Sequence, residues 1–262
     1  MNYTAVLNHP FALIAVVSLV IFLLQMWQTP ATSAANHARL AAIAALAHAR
    51  GWTWSPGMNV RDRPPGFEQH GLTRWVMHGE DAGVYWLADC LRTMQDQSRS
   101  TWRTGVRARL PRPSTFAVKL TSAVAPTGIL GAARSSEIFR RQFVENVQRM
   151  MTADAGVTAD EYVSLMLLEN RRRIHLPPPL ATRGFTAAAI HDPTAFLAAA
   201  APGAAAYHDR THSANPQNAI EISILGEWLE VSVGGIVEEA VGIEALITFG
   251  LATIGAAVTT VA

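Results

Sequence analysis

His208-Asp-Arg-Thr-His212 holds the two residues of this chain best spaced to bind a metal ion. On a helix, histidines four apart share one face, as they do in zinc sites of the H-E-x-x-H type. A metal-dependent hydrolase would follow from that reading. Two features oppose it. Asp209 stands where the general-base Glu belongs, and its carboxylate is one methylene too short without a backbone shift. The segment also opens a polar stretch, His208 to Asn218, that reads as a loop. A solvated loop is therefore expected. His191-Asp192 reads as a helix cap, and His70, His78 and His175 fall in separate elements with no shared spacing.

Other reactive groups meet the same fate. Cys90 lies mid-strand with Asp89 and Arg92 flanking it, where a buried structural thiol is expected rather than a reactive one. As the lone cysteine it excludes an internal disulfide framework and a cysteine-based zinc site. No G-x-S-x-G is present, and the GILG of Gly128 to Gly131 lacks the lysine of a phosphate loop. Glu238 and Glu239 are neighbours that do not face each other on a helix, and they suit the amino end of the last one. The expectation is no enzyme, no cofactor and no metal. One charged pattern remains. Arg103, Arg107 and Arg109 alternate with Trp102, Thr104, Val106 and Ala108, which puts the arginines on one face of a strand. A solvated sheet face accounts for them; the alternative is contact with an anionic partner, either lipid headgroups or an acidic protein surface.

These residues follow a segment of a different kind. Phe11 to Trp27, FALIAVVSLVIFLLQMW, contains no charge and spans about 25 Å as a helix, close to the thickness of a hydrocarbon core. Phe11, Leu13, Ile14, Leu19, Phe22, Leu23 and Trp27 are its anchor residues, and Pro30 ends it. Small residues in TPATSAA would suit a signal peptidase, but Met1 to Pro10 lacks the Lys or Arg of a signal peptide, so a retained single-pass anchor is expected. Arg39, Arg50, Arg61 and Arg63 all follow the run. The positive-inside rule then places the amino terminus outside a bacterial inner membrane and the main domain in the cytoplasm. The formal charge of +1 carries no nucleic-acid signature. Of the 21 basic residues only Lys119 is lysine, a bias that fits a GC-rich genome.

The remaining chain reads as an α+β domain of mainly antiparallel sheet with packed helices. Residues 1–30 form the anchor and 31–51 a juxtamembrane helix stopped by Gly51. Residues 52–135 are rich in strands: Trp52 and Trp54 on one face of a short one, then Thr73–His78, Val84–Leu91, Trp102–Leu110 and Phe116–Leu120, with a hairpin at Gly79 to Gly83. The part 136–180 is helical. Ser136 leads a helix to Met151 with a stripe of Phe139, Phe143, Val147 and Met150, and a Thr158/Glu161 capping box opens a second helix, Tyr162 to Arg173. Leu176 to Leu180, LPPPL, predicts an extended connection. In 181–262 come a strand at Gly184–Ala189, an Asp192-capped helix packing Phe196 and Leu197, and a second turn begun by Pro202. A hairpin, Ile220–Leu225 and Trp228–Val233, turns at Gly226-Glu227, and a last helix runs from Val237. Within it Gly242 to Ala262 is long enough for a second span. Its apolar stripe through Ile243, Ile247, Leu251, Ile254, Val258 and Val261 predicts a helix lying on the sheet instead.

RGFTAAAIHDPTAFLAAAAPGAAAY, AIEISILGEWLEVSV and EEAVGIEALITFGLA, with the upstream ARGWTWSPG and TWRTGVRARLPRP, resemble a bacterial family of membrane-anchored domains of unknown function. The resemblance covers about half the chain. It implies one or two amino-terminal membrane helices and a cytoplasmic α+β domain, and it brings no catalytic residues. The chain departs from that family at Glu137 to Arg173, where two helices look inserted and a specific contact surface is expected. The functional expectation is a membrane-anchored structural or interaction module, an accessory subunit of a larger membrane complex, with the bilayer and other membrane-protein subunits as partners and no nucleic acid.

Overall fold

The computed structural model describes residues 34–56, 67, 72–96, 99–122, 136–150, 158–168, 174–212 and 219–261. The expected anchor, Phe11 to Trp27, lies outside them. The chain divides into two compact units, Met1–Leu46 and Ala47–Ala262. Helix α1 covers 34–50, and the described residues of the first unit all belong to it. It stops where its sequence predicts, at Gly51 with φ +69°, and the Trp52 amide closes the end on the Ala47 carbonyl at 2.8 Å.

The second unit is α+β. Its strands are β1 (Thr53–Ser55), β2 (Leu72–Asp81), β3 (Val84–Asp96), β4 (Arg99–Arg109), β5 (Ala117–Thr121), β6 (Thr186–Ile190), β7 (Ile220–Leu225) and β8 (Trp228–Gly234). They make one antiparallel sheet in the order β1-β2-β3-β4-β8-β7-β5-β6. Ala82 and Gly83 both take positive φ (49° and 78°) between β2 and β3, the two-residue turn whose twist matches paired strands. The late β7–β8 hairpin, turning at Gly226 (φ 56°), inserts between β4 and β5. It joins the two halves of the sheet.

The helices are α2 (Glu137–Met150), α3 (Ala159–Met166), α4 (Pro178–Ala181), α5 (Thr194–His212) and α6 (Ala240–Val261). The capping box of α3 forms as its residues dictate: the Glu161 amide donates to Thr158 Oγ1 at 3.2 Å, and the Thr158 amide donates to Glu161 Oε2 at 2.8 Å. The helix ends at Met166 rather than Arg173, because Leu168 turns left-handed at φ 55°. LPPPL is not wholly extended. Pro177 is, but Pro178 and Pro179 start α4, where a proline's missing N–H costs nothing. The stripe expected in α2 lies outside the described side chains.

Two corrections matter more. Asp192 caps α5 as expected, accepting from the Thr194 amide at 2.9 Å. Yet Pro202 does not begin a new turn; it sits inside one helix that continues to His212. Its ring is exposed among alanines and Gly203, while Phe196, Leu197, Ala204 and Tyr207 are buried, and that packing outweighs the lost hydrogen bond. The His208 stretch is therefore the last turn of a helix and not yet a loop.

Alternation along the strands divides the sheet into two faces. On the first face lie Trp75, Met77, Trp86, Ala88, Cys90, Val106, Ala108, Leu229, Val231, Ile222, Ile224, Val118 and Leu120, all buried and apolar. Helix α6 lies on β4 and β8, and α5 packs along α6. Contact is close at Gly250, where an added Cβ would come within 2.8 Å of the Val106 side chain. The predicted stripe is largely the buried one: Ile243, Ile247 and Ile254 are sealed, while Thr248, Ala252 and Thr259 are exposed. Thr104 is the one polar residue at the centre of this face, and its hydroxyl bonds the Gly235 carbonyl and the Val237 amide, both at 3.0 Å. Ala240–Thr260 is also the one described helix long and apolar enough to cross a membrane, with mean hydropathy 1.9.

Candidate functional site

The second face of the sheet has a different chemistry. On one side an aromatic cluster, Phe67 against Tyr85 and Trp228, closes over Val76 and Leu87. On the other side α3 lays Leu165 on Ala117 and Ala188. Between them runs a set of charges across neighbouring strands. The arginines expected on one face of β4 do share it, and each meets an acid on the strands beside it. Arg107 Nη2 donates to Asp89 Oδ2 of β3 at 2.7 Å, Arg103 pairs with Glu230 of β8, and Arg109 Nε reaches Glu227 Oε1 in the β7–β8 turn at 2.9 Å. Lys119 of β5 continues the set to Glu221 of β7, at 3.1 Å, with its ammonium also 3.8 Å from Met166 Sδ of α3.

The face is not uniformly solvated, as the alternating pattern would suggest. Arg109 is exposed, but Arg107 and Asp89 are only 6% and 3% exposed, and Lys119 is 7% exposed. Burying an ion pair carries a large desolvation cost, which direct contact and the remaining hydrogen bonds must offset. Gly105 lets the strands approach: a Cβ there would sit 2.9 Å from the Val231 carbonyl oxygen. Burial also pulls the Arg103 guanidinium below its ordinary pKa, while Glu221 and Asp89 act in the opposite direction. The consequence is electrostatic. Four cations face four acids, so this surface is a charge-balanced lattice, and an external anion must compete with carboxylates already in place.

The histidine motif is also arranged by its neighbours. His208 is buried, its ring 5.4 Å from that of Phe185. Asp209 takes two hydrogen bonds from Arg183, Nε to Oδ1 at 2.6 Å and Nη2 to Oδ2 at 2.5 Å. That guanidinium, helped by His208, holds the Asp209 carboxyl below its usual range and keeps it as a carboxylate with its lone pairs engaged. The side chain of His212 lies outside the described residues. Among the described residues no three His, Cys, Asp or Glu groups gather as metal ligands would.

The other sequence candidates fall into structural places. Cys90 is fully buried on the first face, and burial pushes its thiol pKa up, against a weaker opposing hydrogen bond with Thr104. Glu238 pairs with Arg74, and Glu239 supplies the carbonyl that receives the Ile243 amide, so both precede α6 and open it. Trp54 of the edge strand pairs with Met77, and Trp52 just before that strand meets Trp86 edge-on at 5.4 Å; a Cβ at Gly79 would strike the same Trp86 ring at 2.9 Å. Sequence reasoning missed the acids that answer the arginines, Asp89 and Glu230, and the Lys119–Glu221 pair. The charges were visible in the sequence. What was missing was which strands lie side by side: β3 brings Asp89 to Arg107, β8 beside β4 brings Glu230 to Arg103, and β7 beside β5 brings Glu221 to Lys119.

No protein-family model matches the chain, and no curated protein sequence matches it. A structural similarity is found to the crystal structure of the mycobacterial trehalose monomycolate transport factor A, TtfA. It has 8% sequence identity and a TM-score of 0.36, and it covers 82% of this chain and 91% of that one.

Proposed function

We propose that this protein is a membrane-anchored interaction module, an accessory subunit of a larger membrane complex, with no chemistry of its own. Phe11 to Trp27 anchors it in the inner membrane of a bacterium, the amino terminus outside and the α+β domain in the cytoplasm. The observation that carries the reading is the outer face of the α5–α6 layer. From Thr194 to Ala206 on α5, and from Ala245 to Thr259 on α6, every exposed residue is uncharged. A helix layer bathed in water ordinarily presents charge outward. A surface of exposed Ala, Gly, Thr and Pro suits close approach of another apolar or backbone-rich surface. The charge lattice on the second sheet face supports the same reading, because the groups best suited to acid–base work are engaged with one another.

The test is purification of the full chain from its membrane in mild detergent after in vivo crosslinking, with Ala198→Glu and Ala252→Arg variants alongside. A specific membrane-protein subunit that crosslinks to the α5–α6 layer, and is lost in both variants while thermal melting stays unchanged, is the expected outcome. Stoichiometric zinc in the purified protein, abolished by His208→Ala, would replace this reading with a metal enzyme. An active alkaline phosphatase fused after Ala262 would reverse the orientation.

A further inference from the structure

Two strands end the sheet, and their outer edges are built differently. β1 is three residues long, covers only Val76 to His78 of β2, and is followed directly by Pro56. A very short edge closed by a proline is one of the ways proteins avoid pairing with another chain. β6, at the other end, reads Thr-Ala-Ala-Ala-Ile. It has no charge and no proline, and its register with β5 runs without a bulge. Thr186 is exposed, Ala189 and Ile190 are half-buried, and Ala187 and Ala188 are buried, so this end of the sheet reaches solvent.

The direction of its backbone groups follows from the ladder. The Ser122 amide donates to the Ile220 carbonyl at 3.0 Å, so Ser122 turns toward β7. Residues of an antiparallel strand turn alternately to one neighbour and the other. Leu120 and Val118 therefore also turn to β7, and Thr121, Lys119 and Ala117 turn to β6, where they meet Thr186, Ala188 and Ile190. Ala187 and Ala189 aim their N–H and C=O groups away from the sheet, and among the described residues no strand receives them. Groups repeating at about 6.8 Å along an edge are matched by an extended backbone and by little else.

We propose that β6 pairs with β6 of a second copy, antiparallel about a two-fold axis at Ala188. In that register Ala187 exchanges hydrogen bonds with the partner's Ala189, and Ala189 with the partner's Ala187, so every outward group on the edge is satisfied. A register shifted by one residue would set outward groups against inward ones. Nothing charged stands opposite anything, and the three alanines place no bulk between strands that must approach to about 4.8 Å. Ile190, at the margin of the cluster of Ala117, Leu165 and Ala188, gains cover from the partner's Thr186. A two-fold contact of this kind is closed, so it stops at a dimer. Five residues a side is a small contact, which makes the pair a weak one. The inference rests on the membrane placement above only because a shared surface would concentrate the copies.

Disulfide trapping tests it on the full chain, purified in mild detergent and reconstituted in phosphatidylcholine liposomes. Residues 186 and 190 of opposite copies stand as a pair with Cα atoms about 4.5 Å apart, within disulfide reach, whereas two copies of residue 186 are about 14 Å apart. An equal mixture of Thr186→Cys and Ile190→Cys chains should therefore yield at least about tenfold more linked dimer under mild oxidation than either variant by itself. Cys90, buried on the first face, stays out of the reaction. Ala189→Pro removes one outward donor from each copy at a position where an edge strand tolerates proline, and should cut the mixed product about tenfold. The mixture alone decides should that variant fold poorly. Absence of the mixed product, equal product from the single variants, or a well-folded Ala189→Pro that links as fully as the parent would each overturn the proposal. The link should persist in Ala198→Glu and Ala252→Arg, so this pair and the α5–α6 contact fail separately. The same link in a chain that stays in solution without detergent would retire the membrane placement and leave the pair standing.

Discussion

The two faces of one sheet solve burial in opposite ways. Against α5 and α6 the strands present Val106, Val231, Ile222 and their neighbours, side chains that gain by leaving water and need no particular partner. On the other face the same strands present Arg107, Asp89, Arg103, Glu230, Lys119 and Glu221, which gain only when a specific counter-charge arrives at the right distance. The first face is tolerant in identity and strict in volume. The second is strict in pairing, because each charge removed strands another.

That comparison breaks most sharply at Arg107. Arg107→Met leaves the Asp89 carboxylate buried without its main partner, and thermal unfolding at neutral pH should show a loss of about 3 to 5 kcal/mol. Asp89→Leu combined with Arg107→Met should recover most of it, to within about 1 kcal/mol of the parent. A double variant no more stable than the single would show that the pair does more than satisfy itself.

The helical layer has a weakness of its own at high pH. The folded Tyr207 phenol ionises at about 12 against 10 in the unfolded chain, so its folded pKa is raised. Its contribution is fully present below pH 10 and is lost as pH rises through 12, because only the unfolded chain gives up the proton easily. The loss should approach roughly 2 to 3 kcal/mol. Tyr207→Phe should flatten denaturant midpoints over that window, and an unaltered profile would remove the phenol from the account.

Volume rather than charge is probed by Gly250→Leu. With Val106 atoms at 2.8 Å from the first added carbon, α6 must lift or the strand must give, at about 2 kcal/mol. Calorimetry should show the drop regardless of salt. The smallest effect belongs to Arg109→Gln at the exposed end of the lattice. Its pair with Glu227 sits in water, so the change should stay under about 0.5 kcal/mol and vanish in high salt. A large, salt-insensitive effect there would mean that the lattice acts as one unit from end to end.

Much of the local structure was legible from short-range rules. The Gly51 stop, the Thr158/Glu161 box, the Asp192 cap and the β7–β8 hairpin each depend on residues within a few positions of one another, so the chain declares them without knowing its fold. The misses came where tertiary packing outweighs local preference. Pro202 reads as a helix start, but burial of Phe196, Leu197 and Tyr207 on either side carries one helix through it. LPPPL reads as extended, yet Leu180 is fully buried at the end of a helical turn.

The candidate surfaces divide along the same line. Period-two spacing alone determines that Arg103, Arg107 and Arg109 share a face, and helical spacing alone determines which stripe of α6 turns inward. Charge counts cannot say whether an arginine faces water, lipid or a carboxylate. That was decided by the insertion of β8 beside β4, a pairing between residues more than a hundred positions apart that brings Glu230 to Arg103 and Glu227 to Arg109. The groove between α5 and α6 is likewise invisible in either helix by itself. Small residues along one helix leave a shallow surface; only two such helices side by side enclose a volume, here lined by Gly203, Ala206, Ala245 and Ala252.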